Sequence, residues 1–182
     1  MRAANYVIAK LYSLEEIKEL NKIIAQNVIE AGKDKAAKLS IKTSDVKNVR
    51  LSSIHQNLVK FIQFTHSANT TYFGFDLYPV TADILVKHNS YKVGSEYSWH
   101  IDADTASTTR DFKLTGLINC SEESYEGGDL FVFNRGTEFK CEEFRETGSV
   151  IVFPSFYNHK VTPLISGDRK TLGMYFSGPK FR

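Results

Sequence analysis

Tyr91-Lys92-Val93-Gly94-Ser95-Glu96-Tyr97-Ser98-Trp99-His100-Ile101-Asp102 is the stretch around which the chain is organised. Its end sets an imidazole and a carboxylate two residues apart. Residues i and i+2 of a strand point to one face, so a strand over 96–102 would offer a nitrogen and an oxygen to a single ion. A third ligand must come from elsewhere, and the candidate is His159 in Phe153-Pro154-Ser155-Phe156-Tyr157-Asn158-His159-Lys160-Val161-Thr162-Pro163. Arg169 follows ten residues on. Two imidazoles and one carboxylate that leave positions open form the facial set of non-haem iron. Arg169 would be a cationic anchor for an acidic co-substrate. His-x-Asp alone reads more readily as a surface ion pair, and a lone histidine more readily as packing. The combination carries the weight.

On an expected strand over 169–177, Arg169, Thr171, Gly173 and Tyr175 share a face. An arginine facing a β-core is costly unless an anion meets it. A dicarboxylate would, because the guanidinium fork matches a carboxylate at two points. Thr171 could add a hydroxyl donor. The plainer reading is an arginine at the strand mouth, paired with Asp168 or solvent.

The 182 residues are enough for one domain with a sizeable core. We expect 1–70 to be a largely helical support segment and 71–182 a β core. Thirteen Phe and nine Tyr favour strands and pockets over coiled coils. With 23 basic and 21 acidic residues, net charge +2 does not argue for nucleic acid as a partner. Cys120 and Cys141 fit no disulfide or zinc spacing and read as free thiols of a reducing cytosol. No window approaches the ~20 apolar residues of a membrane span, and the start opens no signal-peptide run. A soluble, cytoplasmic protein is expected.

In chain order, a short strand fits residues 5–11. Ser13 and Glu16 make a capping box, and Tyr12 and Ile17 a hydrophobic staple. Leu14, Ile17, Leu20, Ile24 and Val28 recur at helical spacing, and Gly32 is a stop. Residues 33–50, with Lys33, Lys35, Lys38, Lys42, Lys47 and Arg50, read as a solvated loop. A second helix fits 53–66, with Ser53 and Gln56 as its capping box. His55, His66 and His88 have no ligand partners at useful spacing. Residues 71–78 are aromatic and β-like, and 82–86 is another strand. Further strands are expected at 96–102, 112–119, 129–134, 138–143, 149–153, 158–164 and 169–177, with turns at Glu126-Gly127-Gly128-Asp129 and Asn134-Arg135-Gly136. Many short strands at regular spacing indicate a sandwich or barrel.

Tyr91-x-x-Gly94-x-x-Tyr97-x-x-His100-x-Asp102, then Glu126-Gly127-Gly128, then His159 and Arg169, resembles the iron(II)/2-oxoglutarate-dependent dioxygenases, and most of all their prolyl-4-hydroxylase-like branch. The resemblance covers roughly residues 70–180. It implies a mainly β fold with N-terminal helices, built on a double-stranded β-helix, the jelly roll of cupin-like proteins. It implies that His100, Asp102 and His159 are the catalytic iron ligands, and that Arg169 and Tyr91 hold the distal carboxylate of 2-oxoglutarate. Tyr97 matches a residue near the prime substrate, and Tyr175 falls where that branch often has a pocket tryptophan. For Tyr91, Tyr97, Trp99 and Tyr175 the plain alternative is aromatic core. The implied cofactors are Fe(II), 2-oxoglutarate and O2, with ascorbate as a candidate reductant. The implied reaction hydroxylates a C–H bond and releases succinate. Asp102 favours hydroxylation over halogenation, because halogenases of this superfamily replace that carboxylate with a small residue.

Two departures bear on the substrate. Prolyl hydroxylases commonly carry Lys where this chain has Arg169. After Gly-Gly they often have an acidic then a hydroxyl residue, whereas Asp129-Leu130 follows here. A peptidyl proline, another peptidyl residue, a free amino acid and a small metabolite all remain candidates. Loops 33–50, 103–111 and 120–126 are where selection would lie, with Arg110 a candidate for a substrate carbonyl. The competing classes are a non-oxidative cupin-type metalloprotein using zinc-activated water, a catalytically silent jelly-roll binding module, and, as a minor contender, a nucleobase oxidase.

Overall fold

The computed structural model describes residues 4–30, 42–103 and 107–181. Gly32, Lys33, Lys35 and Lys38 lie outside them, as do residues 104–106 of the 103–111 loop.

The chain opens with β1 (Val7–Lys10) and α1 (Leu14–Asn27). The Ser13 capping box forms in both directions: Glu16 N donates to Ser13 Oγ at 3.2 Å, and Ser13 N to Glu16 Oε2 at 2.8 Å. Tyr12 and Ile17 are buried in one cluster, as a staple requires. The helix ends at Asn27, sooner than the apolar spacing suggests, because Val28 turns extended and starts β2 (Val28–Glu30). The lysine-rich segment is not all loop either. It contains β3 (Asp45–Arg50), which pairs with both β2 and β4 (Leu85–Tyr91).

β3 runs directly into α2 (Leu51–Ala68), so this helix begins ahead of Ser53, and no side chain caps it. Its first amides donate to the backbone instead, Leu51 N to Ile84 O and Ser52 N to Ala82 O. That removes the need for a side-chain cap. Residues 71–78 form no strand. α2 continues as a π-helical turn, Asn69–Phe73, and the Asn69 side chain exchanges two hydrogen bonds with the Phe75 backbone.

Then come β5 (Tyr97–His100), β6 (Arg110–Asn119), β7 (Glu126–Gly127), β8 (Leu130–Asn134), β9 (Thr137–Lys140), a 3-10 turn (Glu142–Arg145), β10 (Ser149–Pro154), β11 (Asn158–Val161), β12 (Leu164–Ser166) and β13 (Arg169–Pro179). Two antiparallel sheets face each other, in the orders β1-β10-β6-β13-β4-β3-β2 and β5-β11-β8-β9, and a β12-β7 pair accompanies them. This is the expected jelly roll.

The seven-stranded sheet is buried on both faces. Along β13, Leu172, Met174 and Phe176 pack with Ile17, Leu20, Leu58 and Phe61 of the helices. Along β10, Val150 and Val152 join that layer, while Ile151 and Phe153 turn to the four-stranded sheet with Leu130, Val132 and Val161. The helices thus back one face of the large sheet. Its other face is free to build a site between the sheets.

Candidate metal centre

His159 on β11 and His100 at the end of β5 are cross-strand partners. The register slips by one residue between this pair and Val161–Tyr97. A bulge of that kind sets two residues against one and re-aims side chains. Here it lets Tyr97 and His100, three apart in sequence, line the same pocket. Trp99 is not brought there. It packs edge-on against Phe133, with Lys160 Nζ 4.3 Å from its ring centre.

β5 ends at His100, so Asp102 does not share a strand face with it. Asp102 follows the strand and is held separately. Its amide donates to Ser155 O, and its Oδ2 accepts from Thr115 Oγ1 at 2.8 Å. Ser155 Oγ lies 2.9 Å from the same threonine oxygen, and Tyr175 donates its hydroxyl to Oδ1 at 3.3 Å.

The outcome is a three-donor cluster. Nε2 of His159 lies 3.4 Å from Asp102 Oδ2, Nε2 of His100 lies 3.8 Å from Oδ1, and the three ligand atoms fall within 4.8 Å of one another. Both imidazoles are fixed alike. Nδ1 of His100 faces Ser98 O at 2.7 Å and Nδ1 of His159 faces Tyr157 O at 3.0 Å. A carbonyl can only accept, so the proton sits on Nδ1 and the Nε2 lone pair is left for a metal. Burial, then the charge of His159, pushes His100 down to about 4 and keeps it neutral. Burial works to raise the Asp102 carboxyl, but the imidazoles, His159 foremost, and the Thr115 hydroxyl bring it down to about 2. Two imidazole nitrogens and one carboxylate oxygen fit a divalent transition metal.

The same pocket contains Arg169, 1% exposed at the start of β13 and paired in register with Tyr91. Nε and Nη1 of its guanidinium are buried and have no hydrogen-bond partner among the described residues. A buried cation with unmet donors fits a bound carboxylate. Burial raises the Tyr91 phenol, against the lowering effect of Arg169 beside it, so its hydroxyl stays protonated. Thr171, Gly173 and Tyr175 line the pocket with Arg169, as the two-residue period anticipates.

Gly128 explains part of the Glu126-Gly127-Gly128 motif. It has φ +60°, and a Cβ there would stand 2.8 Å from Arg169 Cδ. The absent side chain is the space through which the arginine enters. Asp129, which follows, pairs with Arg145 and Lys140 outside the pocket.

Three polar lining residues escaped the sequence reading. Asn89 and Lys87 precede Tyr91 on β4 by two and four residues, so the alternation that placed Thr171 could have found them. Asn89 Nδ2 reaches Thr171 Oγ1 at 3.4 Å, and Lys42 Nζ donates to Asn89 Oδ1 at 2.9 Å. Lys42 is buried, with its ammonium 4.5 Å from the Tyr97 ring centre. Nothing in a lysine-rich run distinguishes it. Arg110 lies outside this pocket, exposed at the start of β6 and lining a neighbouring groove.

The family model described as the 2OG-Fe(II) oxygenase superfamily matches residues 86–177. The chain belongs to this superfamily. The matched span runs from β4 to β13 and contains all three metal-ligand candidates and Arg169. A PKHD-type hydroxylase of Synechococcus sp. (strain CC9605) is 38% identical over 97 residues, which cover 52% of this chain and 41% of that relative. The match thus spans less than half of the relative's length. Among solved structures, a Pseudomonas putida prolyl-4-hydroxylase aligns with TM-score 0.69 and 19% identity, covering 94% of this chain and 91% of its own. A Trichoplax adhaerens prolyl hydroxylase, solved in complex with a hypoxia inducible factor oxygen degradation domain peptide fragment, aligns with TM-score 0.68 and 15% identity over 94% and 83%. At these identities the structural likeness establishes a shared prolyl-hydroxylase-like fold. The superfamily's cofactors are Fe(II) and 2-oxoglutarate, and the donor set and the buried guanidinium fit both. No helix among the described residues is long and apolar enough to cross a membrane.

Proposed function

We propose that this chain is an Fe(II)- and 2-oxoglutarate-dependent dioxygenase that hydroxylates a C–H bond of a peptide, with a peptidyl proline as first candidate. The observation that carries the proposal is a guanidinium buried with unmet donors in the same pocket as a His-Asp-His cluster. Iron, 2-oxoglutarate and O2 supply the oxidation, which yields succinate, CO2 and a hydroxylated product.

His100, Asp102 and His159 hold the metal. Their backbone and Thr115 partners fix the direction of each donor. Arg169 grips the distal carboxylate, with the Tyr91 and Thr171 hydroxyls beside it. Leu117, Leu130 and Val161 give the pocket an apolar wall that keeps water from the reacting atoms. Tyr97 and Tyr175 border the place where substrate meets the metal. The helices before residue 70 serve as backing for the large sheet, in one catalytic unit. Two buried free thiols suit a cytoplasmic location.

Succinate release from 2-oxoglutarate tests this, with Fe(II) added, O2 present or withheld, ascorbate present or omitted, and proline-containing peptides in the screen. Succinate that depends on both iron and O2 is expected. No succinate above background with iron and O2 both present would reject the oxygenase, because succinate forms from 2-oxoglutarate only with a two-electron oxidant, which zinc-activated water does not supply.

A further inference from the structure

Successive rungs of the β4–β13 pairing face the pocket: Tyr91 opposite Arg169, Asn89 opposite Thr171 and Lys87 opposite Gly173. The first rung holds the guanidinium. The second is polar and buried on both strands. Burying an amide beside a hydroxyl is costly unless each is hydrogen-bonded. Asn89 Nδ2 donates to Thr171 Oγ1 at 3.4 Å, and the far end of the amide meets another buried group, with Lys42 Nζ donating to Asn89 Oδ1 at 2.9 Å.

Lys42 is held in place for this contact. Its backbone bridges to Tyr97, and its ammonium stands 4.5 Å from the Tyr97 ring centre. The next residue fastens the segment. Thr43 N donates to Glu96 O at 3.1 Å, and Glu96 N donates to Thr43 Oγ1 at 2.8 Å.

These groups fit together in one sense only. An ammonium can only donate, so the amide end that faces Lys42 is the carbonyl oxygen. The NH2 end then faces Thr171, and it too can only donate. Thr171 Oγ1 is therefore the acceptor of that bond, and its own proton points away from Asn89. An amide turned the other way would present Oδ1 to Thr171 and draw the hydroxyl proton to itself. Thr171 lies two residues on from Arg169 along β13 and lines the same pocket.

We propose that Lys42 and Asn89 are positioning residues for the co-substrate: Lys42 fixes which end of the Asn89 amide faces Thr171, and Asn89 fixes the Thr171 hydroxyl as a donor to the distal carboxylate that Arg169 grips. The proposal rests on the oxygenase function proposed above and deepens the account of its co-substrate site.

Calorimetry of 2-oxoglutarate with the full chain loaded with Mn(II) tests it through double-mutant cycles. Thr171→Val should weaken 2-oxoglutarate about tenfold, and Thr171→Ser should restore most of the loss. Asn89→Leu should weaken it about three- to fivefold in the wild-type background, but less than about twofold once Thr171 is replaced by Val. Lys42→Met should show the same shrinkage, because the loss of its charge alone would act equally in both backgrounds. Should Asn89→Leu strand the Lys42 charge and fail to fold, Asn89→Leu combined with Lys42→Met removes both partners and reads the same coupling. Mn(II) affinity, measured against a chelator, should stay within about twofold of wild type in the Lys42 and Asn89 variants. Losses that simply multiply in these cycles, an Asn89→Leu chain that binds 2-oxoglutarate as wild type does, or a parallel loss of Mn(II) affinity would overturn the proposal and leave the oxygenase function standing. A wild-type chain that binds no 2-oxoglutarate would remove both.

Discussion

His100 and His159 face each other across β5 and β11 with ring centroids 4.1 Å apart, each tethered through Nδ1 to a carbonyl two residues back in its own chain segment. Cross-strand pairing thus sets the spacing of the two imidazoles, and local backbone sets their tautomer. Asp102 is added from a third direction. Strand pairing and side-chain contacts thus hold three donors within 4.8 Å of one another, which has measurable consequences.

Arg169→Met should raise the stability of the metal-free, co-substrate-free protein. Replacing a buried charge with unmet donors by an apolar side chain is neutral or stabilising by about 1–4 kcal/mol. Each kcal/mol moves Tm by about 2–4 °C at this size. The same variant should lose the further rise that 2-oxoglutarate gives the metal-loaded wild type, about 2.7 kcal/mol at a hundredfold excess over Kd. Thermal scans with and without co-substrate read both effects. A less stable variant that still responds to 2-oxoglutarate would show that Arg169 has a structural job instead.

Gly128→Ala should act on the same arginine from outside the pocket. The new methyl would meet Arg169 Cδ at 2.8 Å in a backbone with φ +60°, a conformation costing about 1–2 kcal/mol for a residue with a Cβ. Affinity for 2-oxoglutarate should fall about tenfold or more, while metal affinity holds. Calorimetry separates the two, and unchanged co-substrate affinity would contradict the role given to Gly128.

Thr115→Val should weaken the metal site without removing a ligand. It deletes the hydroxyl that links Ser155 to Asp102 Oδ2. Losing such an outer partner typically costs about 10- to 100-fold in metal affinity. Competition with a chelator for Mn(II) measures it, and an affinity equal to wild type would mean that Asp102 is oriented by its backbone alone.

Acid stability should depend on His88, on the helix-facing side of β4. Burial foremost, then Lys170 and Lys47, pushes it down to about 4 from its ordinary 6.5. Its folded pKa lies below its unfolded pKa. As pH falls through 6.5 the unfolded chain takes up a proton that the folded chain refuses. Stability is therefore lost between about pH 6.5 and pH 4, at up to about 1.4 kcal/mol per pH unit. His88→Gln should flatten the pH dependence of urea unfolding across that window. A slope identical to wild type would place the acid sensitivity elsewhere.

The clustering of His100, Asp102 and His159 was legible because it is a matter of residue type and order: a His-x-Asp, a distant His and an Arg ten further on. The face shared by Arg169, Thr171 and Tyr175 was legible because β13 is regular there. What was hidden depends on register and tertiary pairing. The β5 bulge brings Tyr97 to the same pocket as His100, three residues on, and no residue of Tyr97-Ser98-Trp99-His100 announces it. The His-x-Asp spacing places Asp102 on a strand face with His100, but its position comes from Thr115 on β6 and from Ser155, far along the chain. β3 looked like a solvated run because its strand character comes from pairing with β4, not from apolar alternation of its own. Lys42 was lost for a related reason: only an isolated bridge to Tyr97 turns one lysine of many toward the pocket.

The most direct test is a crystal structure of the chain grown without O2 with Mn(II) and 2-oxoglutarate. The expected result is one ion bound by Nε2 of His100, Nε2 of His159 and a carboxylate oxygen of Asp102, with the distal carboxylate of the co-substrate forked onto Arg169. An ion bound elsewhere, or a co-substrate that leaves the Arg169 guanidinium untouched, would contradict the oxygenase site.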